Sequence, residues 1–354
     1  MLLGAEGGHR TCRYRIMTWR RTALDLARRT GVLSVIGRWY GRDRLTVLAY
    51  HRVADASNPN LTGFRPNVSA SVNGFAEQLD WIARRFTVVS LGDVLAWLDG
   101  AGALPPRPLL ITFDDGYLDN LGAAAPLLAA RGLPAVLFLT TGPLDGGCVL
   151  CPDVVAEIFG NSTVSSADLP MLGRRDWGSP GDRERVIREF VIAVKRLAGD
   201  RRISIISSLA HALGSGVPES IPGLYLDWEQ VRSLHGWEIG AHTVTHPVLT
   251  SIEREAASEE VVVSKRRIED EIGRPVRAFA YPNGSPGDFS DEVDAVLVAA
   301  GIDLAFTLLP GPSRASEVRA APLAVRRTDV CHSDGLATFA GKVMGVTRML
   351  GMAG

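Results

Sequence analysis

Pro108-Leu109-Leu110-Ile111-Thr112-Phe113-Asp114-Asp115-Gly116 is an apolar run that stops on two adjacent carboxylates and a glycine. A short, nearly continuous apolar run reads as a strand buried on both faces, as parallel sheets contain. A second run, Trp237-Glu238-Ile239-Gly240-Ala241, stops in the same way on His242-Thr243-Val244-Thr245-His246. Two imidazoles and one carboxylate can hold a Zn²⁺-like ion and leave a position open for water. A second carboxylate beside them can take that water's proton. Alone, Asp-Asp-Gly is an ordinary turn, and His-x₃-His is an ordinary surface pair. Together, each at the end of a β-rich run, they point to a mononuclear metal hydrolase.

Outward from these two runs, strand-like and helix-like stretches alternate. The strands expected are Leu45–Tyr50, Thr87–Ser90, Leu109–Phe113, Ala135–Leu139, Glu238–Ala241, Val276–Tyr281, Leu304–Leu308 and Leu323–Val325. Helices are expected near Asn73–Arg85, Leu118–Ala130, Ile252–Glu271 and Ser290–Ala300. Such alternation argues for an α/β fold with a parallel sheet covered by helices. The number of units favours a (β/α) barrel over an open sheet. Asp227 three residues before Gln230 reads as a helix start, Ser71 or Asn73 as a cap, and Gly273 with Pro275 as a helix stop. The rhythm breaks over residues 144–223, where helical runs around Arg183–Leu197 and Ile203–Leu213 read as a helical insertion between two barrel strands.

The 354 residues suffice for one large domain or two ordinary ones. A 46% hydrophobic and 22% charged composition is that of a globular protein with a sizeable core. The net charge of −1 argues against wholesale nucleic-acid binding. No apolar run approaches the roughly 18 residues a membrane span needs, and no secretory signal shows. Cys148 and Cys151 form one C-x₂-C without a second pair at metal spacing. The four cysteines, with Cys12 and Cys331, read as free thiols in a reducing cytoplasm; a local redox clip or a zinc site is the alternative. Residues 1–44 carry ten arginines against Glu6, Asp25 and Asp43, an excess of about +7 that leaves about −8 for the rest. Within them a helix is expected over residues 17–40. Its Arg20, Arg21, Arg28 and Arg29 would make peripheral contact with an anionic membrane, or face water while the helix packs on the barrel. The expected division is thus 1–44, a basic helical segment; 45–330, the barrel with its insertion; and 331–354, a helical tail.

Four strand ends carry polar clusters: Tyr50-His51-Arg52, Asp114-Asp115-Gly116, His242…His246 and Tyr281-Pro282-Asn283-Gly284. In a parallel barrel all such ends meet on one face. With their flanks, Leu48-Ala-Tyr-His-Arg-Val53, Thr112-Phe-Asp-Asp-Gly116, Gly240-Ala-His-Thr-Val-Thr-His-Pro247 and Phe279-Ala-Tyr-Pro-Asn-Gly284 resemble the motifs of the polysaccharide deacetylases, the NodB-homology carbohydrate esterases of family 4. The likeness covers about residues 45–330 outside the insertion. It implies a distorted (β/α)₇ barrel, a divalent metal (usually Zn²⁺, with Co²⁺ or Ni²⁺ as alternatives) and removal of N-acetyl groups from hexosamine units of a glycan. By motif, Asp114 matches the general base, and Asp115, His242 and His246 match the metal ligands. Adjacent side chains on a straight strand point oppositely, so Gly116 must turn the backbone to bring both carboxylates into one pocket.

Two departures shape the rest. The family's Arg before the Pro-containing turn of the third motif is replaced here by Ala280, and the late Leu-x-His is replaced by Leu323-Ala-Val-Arg-Arg-Thr328. The chain therefore resembles the exopolysaccharide branch, whose acid His lies in a Tyr-His motif, here His51; His332 is the competing acid. Arg52 and Arg326 are the candidates to steady the base. Tyr281 and Asn283 are expected to shape the pocket or offer an N–H to an oxyanion, and Tyr117 or Trp228 to stack on sugar. Three functions compete: a cytoplasmic glycan N-deacetylase acting on a polysaccharide or lipid-linked oligosaccharide, an amide or imide hydrolase on a small non-sugar substrate, and a barrel that binds glycan without turnover.

Overall fold

The computed structural model describes residues 43–197 and 199–349. The helix expected over 17–40, and the membrane contact assigned to it, lie outside the described residues. Among these, no helix is long and apolar enough to cross a membrane.

One sheet organises the chain. It contains β1 (Arg44–Tyr50), β2 (Thr87–Val88), β3 (Pro108–Asp115), β4 (Ala135–Leu139), β5 (Trp237–Ala241), β6 (Ala278–Ala280), β7 (Leu304–Phe306), β8 (Ser313–Arg314) and β9 (Thr328–Asp329). Its path is β7-β6-β5-β4-β3-β1-β8, with β9 on β1 and β2 on β3. Every pair is parallel except β1 with β8. The sheet curls: Val325 bridges Phe306 of β7, and Thr328 pairs with Leu48 of β1. One short segment, 325–329, therefore links β7, at one end of the path, to β1, next to the other end. This is the α/β barrel the strand–helix alternation implied.

Strand parity sorts the side chains. Leu110, Val136, Phe138, Ala278, Ala280, Leu304, Phe306 and Val325 form the inner cluster, while Ile111, Phe113, Leu137, Leu139, Ile239, Phe279 and Tyr281 pack in the cluster shared with the covering helices. An eight-residue helix that the periodicity did not reveal, α1 (Leu91–Leu98), adds Val94, Leu95 and Trp97 to the inner cluster. Ser90 and Asp93 cap it reciprocally. Elsewhere the caps fall as expected: Ser71 accepts from the Gly74 N–H, Asp227 and Gln230 form a capping box, and Gly273 ends the helix Arg254–Ile272 at φ 67°. Leu323–Val325 is not a strand. Pro322–Ala324 is a 3₁₀ turn, because Pro322 starts a helical turn there, and β9 begins only at Thr328.

Between β4 and β5 the chain builds α2 (Cys151–Gly160), a hairpin (Ser166–Leu169 with Gly173–Asp176), α3 (Pro180–Val194) and α4 (Gly199–Ala212). Val155, Phe159, Trp177, Phe190 and Leu209 form a hydrophobic cluster of their own there. Asp153 of α2 ties it to the barrel: its buried carboxylate accepts from the Tyr117 and Tyr225 hydroxyls at 2.9 and 2.5 Å and from the Phe64 N–H at 2.6 Å. Beyond the barrel, Leu336–Val343 and Val346–Met349 are helical. Cys148 and Cys151 are free thiols, but Cys331 is disulfide-bonded, against the expectation of four thiols. Pairing depends on spatial proximity, which spacing along the chain does not show.

Candidate active site

The carboxyl ends of the strands surround an open cavity of about 210 Å³, lined by His51, Asp114, Asp115, His242, His246 and Asn283 among others. Parity carries Asp114 inward, in step with Leu110 and Thr112. Asp115 would by the same rule face the helices with Phe113. It does not, because the backbone turns through φ 77° at Asp115 and φ 89° at Gly116. A side chain on Gly116 would be strained by that φ, and its Cβ would meet Leu139 Cδ2 at 2.9 Å. The glycine thus makes room for the turn that brings both carboxylates to one pocket.

Asp115 Oδ1 lies 3.6 Å from His242 Nε2 and 3.5 Å from His246 Nε2. It is buried and has no hydrogen-bond partner. Ligand atoms of the three residues all lie within 4.8 Å of one another. His242 Nδ1 sits 2.6 Å from the Ala280 carbonyl. A carbonyl only accepts, so Nδ1 carries the hydrogen and the Nε2 lone pair faces the carboxylate. Burial depresses His242 to about 4, and burial with the neighbouring His242 pulls His246 well below the ordinary range, so both imidazoles are neutral. The His242 lone pair aimed at an unpartnered carboxylate oxygen repels it unless a cation lies between them, and His246 Nε2 approaches the same oxygen. The donor set therefore fits a divalent metal with nitrogen and oxygen ligands.

The His-x₃-His turn is held from outside. Thr243 and His246 take φ 71° and 58°. Glu260, on the helix Arg254–Ile272, accepts from the Val244 and Thr245 N–H groups at 2.7 and 2.9 Å and from the Thr245 hydroxyl at 2.6 Å. No signal in the sequence marks Glu260 for this.

Beside this set, Asp114 Oδ1 accepts from Arg327 Nη1 at 2.7 Å. Arg327 is fully buried and also donates to the Thr307 carbonyl and Thr112 Oγ1. Burial alone would raise Asp114, but Arg327 and the His242 side chain outweigh it and hold the carboxyl at about 2. Burial raises Asp115 to about 7, opposed by His51 and aided by the charges of Asp114 and Asp153. The two adjacent carboxylates are thus driven apart by their surroundings: one is paired to an arginine, and the other waits for a cation.

The arginine on Asp114 is therefore neither Arg52 nor Arg326. Arg52 donates to Asp119 at 2.7 Å and to the Thr62 carbonyl, with its guanidinium over the Tyr117 ring. Arg327 follows the inward parity of Val325, while Arg326, one residue earlier, lies out of step with it. His51 lines the cavity; its N–H donates to Ser69 Oγ and its carbonyl accepts from Asn120 Nδ2. His332 is exposed outside the cavity, where Nδ1 lies 3.3 Å from the Val68 carbonyl. Tyr281 does not reach the pocket, because it continues Phe279's parity into the helix layer, where its hydroxyl donates to Asp294 and the Leu323 carbonyl. Its N–H donates to Phe306 O and that of Gly284 to Pro282 O, which leaves the amide of Asn283 within this turn. Tyr117 is fully buried against Tyr225, and Trp228 packs in the core under Arg267, so neither stacks on a sugar in this pocket.

Residues 201–305 match the family model of the polysaccharide deacetylases, a span that holds His242, His246 and the Tyr281–Gly284 turn. The match covers the later two of the four motifs that carry the resemblance, Gly240–Pro247 and Phe279–Gly284. Among solved structures, the fold is similar to the Streptococcus pyogenes deacetylase PplD in complex with acetate (TM-score 0.55, 15% identity, 85% of this chain and 98% of that one). It is also similar to IcaB from Ammonifex degensii (0.54, 21%, 85% and 97%) and to a de-N-acetylase from Aggregatibacter actinomycetemcomitans (0.55, 19%, 84% and 98%). No curated protein matches the chain.

Proposed function

We propose that the protein is a metal-dependent hydrolase that removes N-acetyl groups from hexosamine units of a glycan, of the exopolysaccharide type. The observation that carries the reading is Asp115 Oδ1, buried and unpartnered between His242 Nε2 and His246 Nε2. Asp114, charged and fixed by Arg327, stands next to it.

Asp115, His242 and His246 would hold the ion, which when bound polarises the acetyl carbonyl and acidifies water. Asp114 accepts the proton of the attacking water. A carboxyl held at about 2 is a weak base, so it works only because that water is already acidified. Arg327 keeps Asp114 ionised and fixes the direction in which its free oxygen accepts. The Asn283 N–H is the donor suited to charge developing on the carbonyl oxygen. His51, on the cavity wall, gives a proton to the departing amine as the C–N bond breaks. The water's OH stays on the acyl carbon as acetate, and the sugar leaves as the amine.

The test is acetate release from N-acetylglucosamine oligomers by metal-stripped protein before and after Zn²⁺, Co²⁺ or Ni²⁺ is returned. Metal-restored release supports the reading. Release from small acyl amides but from no oligomer favours the non-sugar amidase. Full metal uptake without release from any amide leaves a binding barrel.

A further inference from the structure

The outer wall of the cavity belongs to the segment between β4 and β5. Arg188, Val191, Ile192 and Lys195, on α3 and just past its end, line the cavity together with Asn283. Lys195 is half-buried, and its Nζ meets the neutral Asn283 Oδ1 at 3.4 Å. Among the described residues no carboxylate lies within ion-pair distance of it. The carboxylate whose field it feels, Asp288, is fully buried and already accepts from Arg196 and from the Ser285 N–H. Arg188, by contrast, is paired with Glu184. This wall thus presents one cation without a counter-charge, Lys195, beside apolar Val191 and Ile192.

A partly desolvated cation costs free energy until a counter-charge arrives, and burial accordingly lowers the pKa of Lys195. A neutral oligosaccharide would leave that cost standing. An anionic group on the substrate would remove it, with attraction enhanced by the apolar surroundings.

We infer that the substrate is an anionic N-acetylated glycan, with a carboxylate or phosphate on or next to the sugar that is deacetylated, held by Lys195. The inference rests on the deacetylase reading for the neutral part of the substrate only; the charged wall is a separate observation.

Calorimetric titration of the metal-loaded full chain tests it, with three probes: neutral N-acetylglucosamine oligomers, the same oligomers carrying a phosphate, and oligomers alternating with uronate. At low salt at least one charged probe is expected to bind about 10-fold more tightly than the neutral one, with the advantage shrinking as salt screens it. Whichever charged probe gains identifies the anion. The advantage is expected to fall to about 2-fold or less in Lys195→Gln, and to survive Arg201→Gln, an exposed change on α4. Equal binding of neutral and charged probes overturns the inference, as does an advantage untouched by Lys195→Gln or no binding of either charged probe. Acetate release measured alongside separates the two claims. Charge-dependent binding without release from any probe sinks the deacetylase reading and sustains the wall; equal binding with equal release does the reverse.

Discussion

Arg327 Nη1 and Asp114 Oδ1 meet at 2.7 Å with both side chains out of reach of solvent. The pair joins the segment that links β7 to β1 to the central strand β3. Arg327 thus brings a guanidinium to Asp114 from the seam of the sheet, while the third motif itself carries Ala280. A buried ion pair adds little net stability, but breaking one strands the other charge.

Arg327→Met is expected to cost about 3–5 kcal/mol of stability, since Asp114 is left buried without its cation. Acetate release should fall by about 10²-fold or more while the metal stays. Arg327→Lys should recover only part, because one ammonium cannot serve Thr307, Thr112 and Asp114 in the guanidinium's planar fork. Denaturant midpoints, metal content and acetate release together read this out; a variant as active as the parent contradicts it.

Asp114→Asn should keep full metal content and lose turnover by roughly 10²–10⁴-fold, the usual contribution of a general base. If elemental analysis instead finds the metal gone, the two aspartates share or exchange their roles.

His51→Ala should depress kcat by about 10²–10⁴-fold with metal retained, as expected for loss of a proton donor to a poor leaving group. His332→Ala should change little, because that ring is exposed outside the cavity. The opposite ranking of the two variants would move the acid role to His332.

Glu260 touches neither metal nor substrate but holds three donors of the turn that carries both imidazoles. Glu260→Ala should weaken metal affinity by about 10–100-fold in a chelator competition, the range seen when such supporting contacts are lost. Affinity equal to the parent's would show that the turn holds itself.

How much of this was legible in the sequence follows from strand length and parity. The Pro108–Asp115 run and the Trp237–Ala241 run are long and apolar enough to read as strands, and the chemistry at their ends could be read with them. Arg327 could not. It precedes a strand only two residues long, it follows a proline-started turn, and adjacent arginines differ only in parity, which is undefined until the pairing of Val325 with Phe306 is known. The same parity rule moved Tyr281 from the pocket into the helix layer, and could have been applied from Phe279. The buried ties of Arg52 to Asp119 and of Tyr117 to Asp153 join segments far apart in the chain, so local pattern carries no trace of them. The disulfide at Cys331 escaped for the same reason.

The central claim is that Asp115, His242 and His246 hold one divalent ion. It is tested most directly by metal content per chain after equilibration with Zn²⁺ and removal of excess, in the parent and in His242→Ala. The account predicts one equivalent in the parent and loss of it in the variant. No tightly held metal in the parent, or full occupancy in His242→Ala, would contradict it.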